Sequence, residues 1–460
     1  MPGICTGACV FGKCPNEVCV KYEQKGRKAG RINVSSNILM SDIGANISTD
    51  KTGLGVAVDI GTTTVVLYLY DMGDVKCLSV KSALNPQIRL GVDVISRINY
   101  CGTVENGLKD MQDAVRSLIN DLIMDACHEA GVDNIEREDA VITGNTTMLH
   151  LLAGLSPVSM GHLPFTPESL FGFFRPAKEL GLAMINADVY LTPCFSAFVG
   201  GDISSAVVAS GMSEKESVSL LLDLGTNGEV AVGNRDKLFV TSTAAGPAFE
   251  GSQIECGMAG VKGAVCSVYT LSGDILFETI GGAEPRGICG SGILDLTSLF
   301  VNLGAIDETG AIADAEDVPV EIRKYIGERD GSPSIELTEG VYLTQKDIRQ
   351  IQTAKAAVAG GVRCLIHDSG FSEDEIENVY IAGGFGNFMD QESALAIGLI
   401  EDKYRGKIRC IGNAAGKGAA MALINHRYRK EGERVTGISE HVELGSNPYF
   451  MECYVECMMF

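Results

Sequence analysis

The chain has no run approaching the ~20 consecutive apolar residues that a membrane-spanning helix requires, and its first residues lack a basic stretch followed by an apolar core. Both absences predict a cytoplasmic protein with no membrane partner. Basic residues are also scarce: 37 Lys and Arg against 59 Asp and Glu leave a net charge of −22. A polyanion is repelled by phosphate backbones, which argues against nonspecific nucleic-acid binding and predicts that any docking partner offers a basic or apolar patch. The short basic run Lys21, Lys25, Arg27, Lys28 and Arg31 reads as a solvated linker face. With 13 prolines and no long low-complexity tract, the chain is neither disordered nor fibrous. What remains is 460 residues, 45% of them hydrophobic and 55 of them glycine, enough for two or more α/β domains with many tight turns.

Two segments are built to one plan. Leu54-Gly-Val-Ala-Val-Asp59 runs into Ile-Gly61-Thr62-Thr63 and then Thr64-Val-Val-Leu-Tyr-Leu-Tyr70; Ser219-Leu-Leu-Leu-Asp223 runs into Leu-Gly225-Thr226-Asn227-Gly228 and then Glu229-Val-Ala-Val-Gly233. Each reads as strand, glycine-rich turn, strand. Glycine lets the backbone approach a phosphate and aim its N–H groups at the oxygens, and the threonine hydroxyls add donors. Asp59 and Asp223 would repel phosphate, so their natural partner is Mg2+ or its water shell. A single Asp-Gly turn merely closes a hairpin. Two copies with Asp, Gly and Thr at the same offsets point to duplicated lobes that clamp one triphosphate between them.

A third element, Val379-Tyr-Ile-Ala-Gly383-Gly384-Phe-Gly386, reads as a strand entering a Gly-Gly turn and a helix. With it the chain resembles the actin-like ATPase superfamily of sugar kinases, heat-shock chaperones and actin. That resemblance implies an α/β, two-lobed actin-like (ribonuclease H-like) ATPase fold in which Gly383, Gly384 and Gly386 cover the adenosine of ATP. It further implies that Phe198-Val-Gly-Gly-Asp202-Ile-Ser-Ser-Ala206 is a first connector helix, with Asp202 as the base that orients the attacking water; Asp202 as an ordinary helix N-cap is the alternative. Ile411-Gly-Asn-Ala-Ala-Gly-Lys-Gly-Ala-Ala420 resembles the second connector, where small residues let two helices cross at the hinge.

The domain plan is residues 1–20 as a cysteine-rich possible metal-cluster segment, 21–54 as a linker, 55–210 as lobe I, 211–407 as lobe II, and 408–460 as a C-terminal return to lobe I. Helices are expected at about 108–130, 294–303 and 347–368 from their apolar spacing. His150 sits among leucines and reads as a packed core residue. The turns 244–251 and 285–292 are expected to open helices and could face the cleft. Cys5, Cys9, Cys14 and Cys19 gather four thiols in fifteen residues, enough for one iron–sulfur cluster, one zinc ion or neither; the spacing matches no common zinc or plant-type ferredoxin pattern. Cys453 and Cys457, one helical turn apart, could add ligands or simply pack.

An actin-like ATPase with an N-terminal cysteine cluster resembles the reductive activators of corrinoid proteins of anaerobic methyl-group metabolism. The stretches Asn85-Pro-Gln with Asp93-Val-Ile-Ser-Arg97, Gly144-Asn-Thr-Thr-Met148, Gly246-Pro-Ala-Phe-Glu-Gly251, Gly287-Ile-Cys-Gly-Ser-Gly292 and Ala382-Gly-Gly-Phe-Gly386 carry that likeness. It implies that ATP drives an electron from an iron–sulfur cluster onto Co(II) of a corrinoid protein in a methyltransferase system, restoring Co(I). It also implies a low-potential donor such as ferredoxin or flavodoxin, and a possible homodimer. A small-molecule kinase and a non-enzymatic actin-like scaffold are the competing readings.

Overall fold

The structure, a computed structural model, describes Thr49 and residues 51–132, 140–183, 185–271 and 274–460. Its strands are β1 (Leu54–Ile60), β2 (Thr64–Asp71), β3 (Lys76–Leu84), β4 (Ala140–Gly144), β5 (Phe173–Pro176), β6 (Asp188–Leu191), β7 (Val218–Leu224), β8 (Gly228–Gly233), β9 (Leu238–Thr243), β10 (Ala264–Leu271), β11 (Asp274–Thr279), β12 (Gly287–Ile288), β13 (Ile326–Arg329), β14 (Ser332–Thr338), β15 (Val341–Thr344), β16 (Ile376–Ala382), β17 (Ile408–Gly412) and β18 (Ser439–His441). Two six-stranded sheets dominate, ordered β3-β2-β1-β4-β6-β5 and β17-β16-β7-β8-β9-β18.

The two sheets repeat one another. In the first, β1 pairs antiparallel with β2 and parallel with β4, and β4 pairs parallel with β6. In the second, β7 pairs antiparallel with β8 and parallel with β16, and β16 pairs parallel with β17. Register keeps the repeat at residue level: Asp59 lies beside Thr143 and Ile60 beside Gly144, while Asp223 lies beside Ala382, the residue before Gly383. Both hairpins and both following turns therefore emerge at the carboxyl ends of the central strands, where open α/β sheets place their ligands.

Each sheet is covered on both faces, which is why its central strands are apolar almost continuously rather than in alternation. Val56, Val58 and Ile60 pack on one side with Met111, Val115 and Ile119 of the helix Gly107–Ala130. Ala57, Tyr68 and Tyr70 pack on the other with Ala419, Leu423 and Ile424 of the helix Ala414–Ile424. In the second sheet Leu220, Leu222 and Leu224 join a core with Ile351, Val358 and Leu365 of the helix Gln345–Ser369. Leu221 and Ala231 meet Ile203, Ala206 and Val207 of the helix Gly201–Ser210 on the opposite face.

The connectors are exchanged between lobes. Gly201–Ser210 follows strands of the first sheet yet packs on the second; Ala414–Ile424 follows β17 of the second yet packs on the first. Where they cross, a Cβ on Gly418 would fall 2.1 Å from the Ser205 carbonyl oxygen, so only glycine permits the approach.

The expected helices are Gly107–Ala130, Gly290–Asn302 and Gln345–Ser369. The segment 408–460 departs from a single return to lobe I. Ile408–Gly412 is the edge strand of the second sheet, Ser439–His441 pairs parallel with β9, and Pro448–Glu456 lies on Gln345–Ser369; Ala414–Ile424 is the part that covers the first sheet. Strands of three to five residues carry too little periodicity to be assigned to a sheet from sequence. The turn at 244–251 opens a single 3-10 turn, Pro247–Glu250, instead of an α-helix, because Gly251 at φ +80° stops it at once. His150 is fully buried; its Nδ1 is 2.7 Å from the Thr146 carbonyl and its Nε2 accepts from the Glu168 N–H at 3.1 Å.

Candidate active site

The first hairpin turn is held from behind. The Gly61 N–H donates to the Thr64 carbonyl at 3.0 Å and closes the turn. The Gly61 carbonyl accepts from Asn85 Nδ2 at 2.9 Å, the Thr62 carbonyl from Arg97 Nη2 at 2.6 Å, and the Thr63 carbonyl from the Asn85 N–H at 2.9 Å. In a planar trans peptide the C=O of one residue points opposite to the N–H of the next. Tying these carbonyls to one side therefore turns the N–H groups of Thr62 and Thr63 to the other, and among the described residues neither meets a backbone acceptor. That is the arrangement by which a turn cradles an anion. Asn145, which follows β4, donates to Thr62 Oγ1 at 3.1 Å and caps the helix Thr146–Ala153.

The second turn is closed by the Gly225 N–H on the Asn227 carbonyl at 3.0 Å. Thr226 Oγ1 lies 3.1 Å from each carboxylate oxygen of Glu250, whose carboxyl burial pushes up while the Thr226 and Thr63 side chains oppose that rise. Glu250 thus binds the Thr226 hydroxyl of the second hairpin and lies close to Thr63 of the first. The Gly383 turn lies against the second hairpin: at φ +89°, a Cβ there would sit 2.7 Å from Asp223 Oδ1 and 2.9 Å from the Leu224 carbonyl oxygen. Gly384 is exposed, whereas Gly386 is buried against Ile381 and serves packing. Phe385 stacks on Phe249 with ring centroids 5.3 Å apart, fixing this turn to the one that carries Glu250.

Four carboxylates converge between the lobes: Asp59, Asp202, Asp223 and Glu229. Burial pushes Asp59 up to about 7, with Asp223 adding repulsion and the Asn413 amide, 2.8 Å from Asp59 Oδ2, opposing it. Burial and then the charges of Asp223 and Asp59 push Asp202 up to about 8. Burial alone raises Asp223 to about 6, and burial with repulsion from Asp202 and Asp223 raises Glu229 well above the carboxylate range. Such a cleft of hard oxygen donors is compatible with a hard cation such as Mg2+. Among the described residues no three His, Cys, Asp or Glu side chains converge closely enough to hold a metal ion.

Asp202 is the second residue of its helix; Gly200 is the N-cap, and the Asp202 carboxylate accepts from the neighbouring Ile203 N–H at 2.8 Å. The N-cap alternative is thereby corrected. Glu229, Glu250, Asn145 and Asn413 were not singled out by sequence reasoning. Glu250 and Asn145 lie inside the family-like stretches, so that signal was present; Glu229 reads as an ordinary strand residue, and Asn413 as an ordinary cap, since its Oδ1 accepts from the Gly416 N–H at 2.8 Å. Cys289 is buried at the start of Gly290–Asn302, with its thiol 3.3 Å from the Val265 carbonyl. Cys453 and Cys457 are buried against the helix Gln345–Ser369. Cys5, Cys9, Cys14 and Cys19 lie outside the described residues. No described helix is long and apolar enough to cross a membrane.

Two family descriptions match this chain: the RACo middle region over residues 54–215, and the C-terminal domain of RACo, the ASKHA domain, over residues 217–460. The chain is 36% identical to the corrinoid activation enzyme RamQ of Eubacterium limosum over 455 residues, 95% of this chain and 75% of that protein. It is 22% identical over 395 residues to the Co(II) methylated amine-specific corrinoid protein reductase of Methanosarcina barkeri, covering 78% of this chain and 68% of that one. Among solved structures, a reductive activator for corrinoid, iron-sulfur protein superposes with a TM-score of 0.80 at 36% identity, over 90% of this chain and 67% of that chain.

Proposed function

This chain belongs to the RACo family, the reductive activators of corrinoid proteins, and from that premise we propose that it couples ATP hydrolysis to the one-electron reduction of Co(II) to Co(I) in a corrinoid protein. The observation that carries this reading is the facing pair of Asp-Gly-Thr hairpins, with their carboxylates crowded into one cleft beside the Gly383 turn. The Thr62 and Thr63 N–H groups and the Thr226 hydroxyl would hold the phosphates, and Gly383 and Gly384 would receive adenosine.

Asp59 and Asp223 would hold Mg2+ through its waters. Bound there, such an ion would supply positive charge to the phosphate oxygens and favour the ionised forms of the raised carboxylates. Asp202, in its ionised form, would orient a water and take its proton as the water attacks the terminal phosphate, giving ADP and phosphate. Burial and the charges of Asp202 and Asp223 push the Glu229 carboxyl beside it well above the carboxylate range, which favours its neutral form in the cleft.

Because the connectors Gly201–Ser210 and Ala414–Ile424 cross between lobes, closing the cleft on nucleotide moves both sheets about one hinge. ATP and its hydrolysis products would favour different lobe angles, and the corrinoid partner, docked to one of them, would be biased toward reduction or release. The electron would come from a low-potential donor such as ferredoxin or flavodoxin. The four thiols of Cys5, Cys9, Cys14 and Cys19 suffice in number for one iron–sulfur cluster, which would relay it.

The test is iron, sulfide and absorbance on anaerobically purified protein, followed by ATPase assays with and without a Co(II) corrinoid protein. Corrinoid-stimulated hydrolysis with appearance of the Co(I) spectrum is expected. ATP turnover that ignores the corrinoid protein, together with phosphorylation of a small alcohol, would replace this reading with a kinase.

A further inference from the structure

We infer that Arg97 is the positioning residue of the first phosphate turn: its buried guanidinium holds the Thr62 carbonyl so that the Thr63 N–H is presented to the triphosphate. The inference rests on the reading that the cleft binds ATP. Arg97 is fully buried, and its hydrogen-bonding acceptors are neutral. Nη2 donates to the Thr62 carbonyl at 2.6 Å, Nε to the Gly91 carbonyl at 2.9 Å and Nη1 to Gln87 Oε1 at 3.3 Å, with Met148 Sδ 3.1 Å from Nη1. Burying a charge without a carboxylate in hydrogen-bond contact is costly, and the cost is met only where every donor is placed.

The surroundings are shaped around that fork. Gly91 must be glycine, because a Cβ there would lie 2.7 Å from the Arg97 backbone nitrogen. Gln87 is itself pinned by its Nε2 on the Met111 carbonyl at 2.9 Å, and Asp93 caps the helix Val94–Thr103 that carries Arg97. Charge adds to geometry. A cation bonded to the Thr62 carbonyl polarises the Thr62–Thr63 peptide and makes the opposite N–H a stronger donor. In the second hairpin the Thr226 hydroxyl meets the Glu250 carboxylate, whereas the first has a guanidinium on its Thr62 carbonyl. That cation makes the first turn the one built to accept the denser negative charge.

The experiment titrates ATP with magnesium, and separately adenosine, into the full chain as wild type, Arg97→Met and Arg97→Lys. Adenosine serves as the internal control because its site, the Gly383 turn, lies in the other lobe. Arg97→Met is expected to weaken ATP about tenfold or more while leaving adenosine unchanged, the loss of one charge-assisted hydrogen bond. Arg97→Lys, which keeps the charge but not the fork, should fall between the two. Equal loss of ATP and adenosine would make Arg97 merely structural, and unchanged ATP affinity would remove it from the site; either overturns the inference. If Arg97→Met does not fold, Arg97→Lys decides alone, with wild-type ATP affinity as the refuting result. A wild type that binds no ATP sinks the nucleotide reading itself.

Discussion

Replacing Asp59 with Asn should stabilise the nucleotide-free protein at alkaline pH and abolish its activity. Moving this carboxyl from 3.8 to about 7 costs about 4 kcal/mol once the pH exceeds both values. Part of that is shared with Asp223, whose own ionisation is coupled to it, and part is relieved by the solvent that still reaches Asp59. The Asn413 amide now donates to Asp59 Oδ2 at 2.8 Å; it can donate equally to the amide oxygen of the variant, so this contact survives. A net gain of about 2 kcal/mol is a reasonable expectation, or roughly 4–8 °C in Tm for lobes of this size. The sign follows from linkage. The folded value lies above the unfolded one, so the stability tied to the protonated form is complete below about pH 4 and disappears as the pH rises through about 7. Thermal unfolding of wild type and Asp59→Asn without nucleotide should differ most at about pH 8, less at about pH 5, and converge only below about pH 4. Equal Tm at the higher pH, or the same gain at both, would refute burial and repulsion as the state of this carboxylate. Magnesium with ATP should narrow the gap at the higher pH, since the ion stabilises the ionised group in the wild type alone.

Asp202→Asn should lower hydrolysis by about two orders of magnitude or more while leaving the ATP dissociation constant within a few-fold, as expected for loss of a general base; unchanged turnover would remove Asp202 from that role. Gly383→Ala forces a left-handed φ and presses a methyl onto Asp223 Oδ1, so calorimetry should show adenosine and ATP weakened together. Gly418→Ala drives a Cβ into the Ser205 carbonyl and should cost about 2 kcal/mol or more in unfolding experiments, with ATPase activity falling further than stability alone explains. Cys9→Ala should remove any iron–sulfur absorbance and leave the corrinoid-independent ATPase intact; retained iron would direct the ligand search to Cys453 and Cys457.

The duplicated hairpins were legible because they are local: strand, glycine turn and strand are contiguous, and an Asp with Gly and Thr at fixed offsets needs no tertiary information to be noticed. The same holds for the strand leading to Gly383 and for the small residues about Gly418, whose meaning depends on spacing within one segment. Glu229 illustrates the limit. Its neighbours in sequence are apolar strand residues, and nothing local distinguishes it from an edge glutamate; only the approach of Asp202 from another element makes it a buried, repelled carboxyl. Asn413 sits far along the chain from Asp59, yet supplies its hydrogen bond.

The amino-acid sequence by itself determined the two-lobed plan, the paired glycine-turn hairpins and the family, because each is written in contiguous motifs and hydrophobic runs. Tertiary structure decided which carboxylates share the cleft, that Glu250 meets the second hairpin at Thr226, that Arg97 stands behind the first turn, and that 408–460 divides between the lobes. Those facts depend on electrostatic and packing contacts between residues distant in the chain, and such contacts exist only once the sheets have folded and exchanged their connector helices.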